Sequence, residues 1–140
     1  MELRYRLYAS QPYLESRGVP TSVSDLLEHD VIVYGSEVPA PVNDINWLLD
    51  LIRGQRPDYE PTLSVASVHG ILHAIRSGVG IGALPKYLVD QESSLSEILP
   101  DCIGPTIDVY FVYLEEMRNA KRLNVLRDFL VEHSSRSQLQ

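Results

Sequence analysis

The chain has 140 residues, and its 12 Lys+Arg against 19 Asp+Glu leave a formal net charge of −7 at pH 7. A composition of 44% apolar and 22% charged residues is that of a folded globular domain and excludes a disordered or fibrous chain, while the negative charge argues against this stretch binding nucleic acid itself, which needs a basic face. No apolar run approaches the roughly 18 residues of a membrane span, the start has no apolar signal region, and the single cysteine, Cys102, cannot form an internal disulfide, so a cytoplasmic α/β domain without membrane attachment is expected.

Residues 5–10, short and aromatic-rich, predict a strand, and 12–15 one helical turn stopped by Gly18-Val19-Pro20. Ser22-Val23-Ser24-Asp25 is a capped start for a short helix through Glu28. The β-branched run Val31-Ile32-Val33-Tyr34 suits a strand buried on both faces and is ended by Gly35-Ser36. Asp44 can cap a helix on which Ile45, Leu48, Leu49 and Ile52 share one face, with Gly54 at its C-cap. A strand over 62–66 follows, then Ser67 as N-cap of a helix with the stripe Val68, Ile71, Leu72, Ile75. Residues 80–84 predict a buried strand, and Pro85 the first position of a helix through Val89. After an irregular stretch over 93–105, broken by a brief segment at 95–99, residues 107–113 predict a strand and 121–132 a helix, with a frayed polar tail from Ser134. Strand–helix alternation of this kind implies βαβ units and a mostly parallel sheet.

Several residue groups invite a chemical role. Gly78-Val79-Gly80-Ile81-Gly82 has the spacing of a dinucleotide loop, but a helix precedes it and a strand follows, the reverse of the order that brings phosphate to a helix N-terminus; it is expected to be a tight turn where side chains would clash. His69 and His73, four apart, could share a metal, but they fall off the apolar stripe and have no third ligand nearby, so a solvent-facing pair and no metal or other cofactor are expected. No Gly-x-Ser-x-Gly elbow and no acid–base–nucleophile set is present, and Cys102 has no basic neighbour in sequence, so no enzyme is expected. In an open parallel sheet, ligands gather beyond the carboxyl ends of the strands. That singles out Tyr34-Gly35-Ser36, Ala66-Ser67-Val68 and Leu84-Pro85, where a following helix offers unpaired N–H groups to a carboxylate or phosphate. Ser67 could face such an anion or simply cap its own helix.

The stretch Leu7-Tyr8-Ala9-Ser10-Gln11-Pro12-Tyr13-Leu14, continued by Gly18-Val19-Pro20, Asp25-Leu26-Leu27-Glu28-His29 and 31–34, resembles a segment of LysR-type transcriptional regulators. So do Ala74-Ile75-Arg76-Ser77-Gly78-Val79-Gly80-Ile81-Gly82-Ala83-Leu84-Pro85, then 95–100, 108–113 and 127–130, all in order and register from about residue 4 to 133. Gln11 stands where that family has proline. The resemblance implies an effector domain with a type 2 periplasmic-binding-protein-like α/β fold. Residues 1–13 would be a first crossover strand, 14–105 the second subdomain, 106–133 a second crossover strand with the helix returning to the first subdomain, and 134–140 a tail. It implies a cleft lined by Ser10, Tyr34, Gly35, Ser36, Asn43, Asp44, Ser67 and Val68, taking a small-molecule effector such as an organic acid. It further implies a homodimer or homotetramer that reaches DNA only through an amino-terminal domain not contained in this sequence. A solute-binding module and, less readily, an enzyme are the alternatives on the same fold.

Overall fold

The computed structural model describes residues 2–35, 44–90 and 92–138. Arg4–Thr106 form one compact unit, and the described residues of Met1–Leu3 and Ile107–Gln140 form a second. In the first unit the strands β1 (Glu2–Ser10, entering at Arg4), β2 (Val31–Tyr34), β3 (Leu63–Val65), β4 (Ile81–Pro85) and β5 (Leu95–Ile98) make a sheet in the order β3-β2-β4-β1-β5. β2 is parallel to β3 and β4, whereas β1 runs antiparallel to both β4 and β5. The expected parallel sheet is thus confined to three strands. Alternation of strands and helices sets the number of crossovers; it does not set the direction of a strand such as β1, whose connection to β2 passes through α1 (Gln11–Arg17) and a 3-10 turn (Ser24–Glu28) and skips over β4.

The apolar stripe does the work expected of it. In α3 (Val68–Arg76), Ile71, Leu72, Ala74 and Ile75 are buried and join Tyr8, Ile32, Tyr34, Ile45, Leu84 and Val89 in one cluster. Each large aliphatic side chain so buried contributes about 1.5–3 kcal/mol of transfer free energy. α2 (Trp47–Arg53) buries Leu48, Leu49 and Ile52, and the 3-10 turn it packs against buries Leu26. The same 3-10 turn is tied at its start by Asp25, whose carboxylate accepts from Thr21 N–H and Oγ1–H and from Ser22 N–H at 2.8–2.9 Å.

The glycine-rich turn after α3 is the tight corner expected. A Cβ on Gly80 would lie 2.3 Å from the Asp30 carbonyl oxygen, and one on Gly82 would lie 2.9 Å from Ile71 Cγ2 and Ile75 Cδ1. The closeness lets Ile81 N–H bond Asp30 O at 2.8 Å, which starts the β2–β4 ladder.

Three expectations are corrected. Pro85 ends β4 paired with Tyr5, and only a 3-10 turn (Lys86–Leu88) follows, because its extended ψ of 137° belongs to the ladder. α2 begins at Trp47 after Asn46, not at a cap on Asp44; Asp44 sits at φ 60° and offers Trp47 its carbonyl, without a capping side chain. Of the strand expected over 107–113 only the beginning forms: Thr106–Asp108 make β6, paired with β1, and 109–114 have no strand assigned. Valine and aromatic content favours a strand only where neighbours complete the ladder and cover a face, and here Val109, Tyr110, Phe111, Val112 and Leu114 are exposed. The last helix, α4 (Lys121–Gln138), runs past Glu132 to Gln138.

Candidate functional site

The strand register decides which candidate residues meet. Ile32 aligns with Gly82, and Gly82 with Tyr8. Two residues along β2 from that row stands Tyr34, level with Leu84 and, across the antiparallel step, with Arg6. The carboxyl ends of β2, β3 and β4 and the first part of β1 therefore share one end of the sheet. Tyr34, Gly35, Ser67 and Val68 lie there.

At that end the backbone is held by side chains and by the last ladder bonds. Asn46 Nδ2 donates to Tyr34 O at 2.8 Å, and Asn46 Oδ1 accepts from Tyr34 N–H at 2.9 Å. This grip keeps β2 extended to its last residue and brings the Asp44–Asn46 turn to the same end. Gly35 N–H continues the pairing by donating to Val65 O at 2.9 Å. Ser67 is exposed, with extended backbone, and its Oγ accepts from Gly70 N–H at 3.0 Å. It is thus the helix cap the sequence suggested. Its hydroxyl proton remains available to an acceptor, as do the positive N-terminal dipole of α3 and the leading amides that a helix leaves without intrahelical partners.

The register does not bring Ser10 to these residues. Because β1 is antiparallel to β4, Ser10 stands two residues from the Ile32 row on the side away from Tyr34, about 13 Å from it along the strand direction. Ser10 is also buried, its Oγ lacks a hydrogen-bond partner among the described residues, and it lies against the Gly78 turn. Ser36 and Asn43 lie outside the described residues.

His69 and His73 are exposed, as their place off the stripe predicts. Burial pushes the Cys102 thiol up, opposed by Arg6, so the cysteine is held as a neutral thiol. Two hollows flank it. One of about 420 Å³ is lined by Asp44, Trp47, Asp50, Leu51, Cys102, Ile103 and Pro105. The other, of about 630 Å³, lies between residues 19–23 and 97–103. Neither contains Tyr34 or Ser67. Sequence periodicity carries no sign of these hollows, because each forms between segments far apart in the chain.

A family model described as the LysR substrate binding domain matches residues 1–135. The HTH-type transcriptional regulator CrgA of Neisseria meningitidis is 29% identical over 133 residues, covering 92% of this chain and 43% of that protein. An HTH-type transcriptional regulator of Haemophilus influenzae is 29% identical over 109 residues, covering 75% of this chain and 36% of its own length. The solved regulatory domain of CrgA superposes with a TM-score of 0.70 at 25% identity, covering 95% of this chain and 65% of that one. The regulatory domain of AphB from Vibrio vulnificus, at 19% identity and a TM-score of 0.65, shares the fold. The chain spans well under half the length of these curated relatives.

Proposed function

Since this chain belongs to the LysR substrate-binding domain family, we propose that it is the effector-sensing portion of a transcriptional regulator, taking a small organic acid or similar metabolite at the end of the sheet where Tyr34, Gly35, Asp44, Ser67 and Val68 converge. The convergence of three strand ends on the N-terminus of α3 is the observation that supports this reading. Parallel strand ends with a helix start beside them present N–H donors and a positive dipole to an anion. In the complete cytoplasmic protein, a ligand bound more tightly to one arrangement of a homodimer or homotetramer would shift the population toward it and so alter how separate DNA-binding domains engage their site.

The test is a thermal-shift screen of organic, amino and aromatic acids against the folded chain, since a ligand bound only by the native state raises apparent stability by about 2.7 kcal/mol at a hundred times its Kd. Ser67→Asp keeps a capping oxygen for Gly70 N–H but adds a charge at the helix start. It is expected to abolish the shift from an anionic hit while leaving the ligand-free midpoint nearly unchanged. An anionic hit that shifts Ser67→Asp as strongly as the wild type would overturn the placement.

A further inference from the structure

At the opposite end of the sheet from the effector residues, a second polar cluster joins four segments of the first unit. Tyr13, buried on α1, has one hydroxyl proton and two neighbours: Asp30 N–H, which it accepts at 2.9 Å, and His29 Nδ1 at 3.0 Å. The amide is an obligate donor. The hydroxyl proton is then free to serve Nδ1 of a neutral His29 ring protonated on Nε2, the arrangement that gives both neighbours a partner. The rings of Tyr13 and His29 lie 5.8 Å apart. Asp30 carries the connection onward: its carbonyl accepts from Ile81 N–H at 2.8 Å, Thr62 Oγ1 donates to its carboxylate at 3.2 Å, and Arg17 pairs with it at 3.5 Å. Tyr59 O–H donates to His29 O at 3.1 Å, fixing the residue from the segment after α2.

We propose that Tyr13, His29 and Asp30 form an acid-sensitive latch, closed while His29 is neutral, that fastens α1 to the start of β2 and thereby to the β4 turn. A proton on Nδ1 turns the ring into a donor aimed at the same hydroxyl oxygen that already accepts from Asp30. The phenolic proton then loses its acceptor in a nearly dry position. The charges that act on the ring are Arg17 on α1, Asp25 on the 3-10 turn and Asp30 just before β2; Glu28, next in sequence to His29, pairs with Arg56 at 3.8 Å. Burial first, then Arg17, hold the imidazole below its ordinary value, with Asp25 and Asp30 opposing. An unfolded histidine titrates near pH 6.5. A ring that holds its proton less tightly when folded stabilises the fold while neutral, so the contribution is complete above about pH 6.5 and is lost as the pH falls from there.

Two measurements test this on the whole chain. In an NMR titration of the wild type, the His29 ring should protonate below the value near pH 6.5 of an unfolded histidine, with Asp30 amide exchange, corrected for its intrinsic rate, accelerating over the same range. A His29 midpoint at or above about 6.5 overturns the latch. Between pH 7.5 and 5.5, the thermal midpoint of the wild type should fall about 3 °C further than that of His29→Gln, which keeps an acceptor for Tyr13 but cannot titrate. Equal losses in the two proteins also overturn it. If His29→Gln does not fold, the wild-type titration decides alone.

Discussion

Asn46 grips Tyr34 by both groups of one residue's backbone, accepting its N–H and donating to its C=O. A carboxamide offers one donor edge and one acceptor edge in a plane, so it stands in for the strand that would otherwise pair there. Tyr34 is buried, and water cannot readily take over. Asn46→Ala is expected to cost about 2–3 kcal/mol in urea unfolding, near the cost of orphaning two buried backbone groups. A loss below about 0.5 kcal/mol would mean that the strand end finds other partners.

The Gly80 and Gly82 contacts differ in kind. At Gly80 the obstacle is the Asp30 backbone, which cannot yield without breaking the β2–β4 ladder; at Gly82 it is the tips of Ile71 and Ile75. Gly80→Ala should cost on the order of 3 kcal/mol or prevent folding, and Gly82→Ala about 1–2 kcal/mol. Adding Ile75→Val should recover part of the second loss and none of the first, as read by denaturation of the double variants.

Asp25 predicts an acid limb distinct from that of His29. Hydrogen bonds from Thr21 and then Ser22 hold its carboxyl below the usual range. A carboxyl held low in the fold stabilises it above the unfolded value near 3.9, and that contribution is lost as the pH falls through the folded value. The melting-temperature difference between wild type and Asp25→Asn should be present at pH 6 and shrink steadily below pH 4; a difference that persists to pH 2 contradicts this.

The second unit exposes Val112 at 84%, Tyr110 at 76%, Leu114 at 69% and Val125 at 66%. Large apolar side chains left in water at this density favour association. Sedimentation velocity on the purified chain should show mass rising with concentration. Val112→Lys with Val125→Lys should reduce that rise while leaving unfolding of Arg4–Thr106 unchanged. A strictly monomeric chain at several hundred micromolar would refute it.

Periodicity and local chemistry were enough to find β2, the buried face of α3, the Ser67 cap and the crowded glycine turn. The first three depend on neighbours within a few positions, and the glycine run shows its tight turn locally although the atoms that crowd it, on Asp30 above all, are distant in sequence. Family likeness, carried by order and spacing, indicated the fold class. What escaped was set by distant partners. The direction of β1 depends on β4 and β5, and it alone separates Ser10 from Tyr34. Asn46 carries no local signal of its role, because nothing near it in sequence shows the strand end it serves. The run at 109–114 has strand composition, but no ladder is formed there among the described residues.

The central place of β1 has a consequence for how the chain is made. The strand leaves the ribosome before the rest of its sheet, yet its neighbours on both sides, Ala83 on β4 and Ile98 on β5, come far later; Gln11 and its partner Ser96 are 85 positions apart. Leu7, Tyr8 and Ala9 must therefore wait, uncovered, until β4 and β5 are made. Closing so long a loop makes assembly slow relative to helix formation. The interval in which nascent chains are vulnerable to mispairing ends only once residue 98 has emerged.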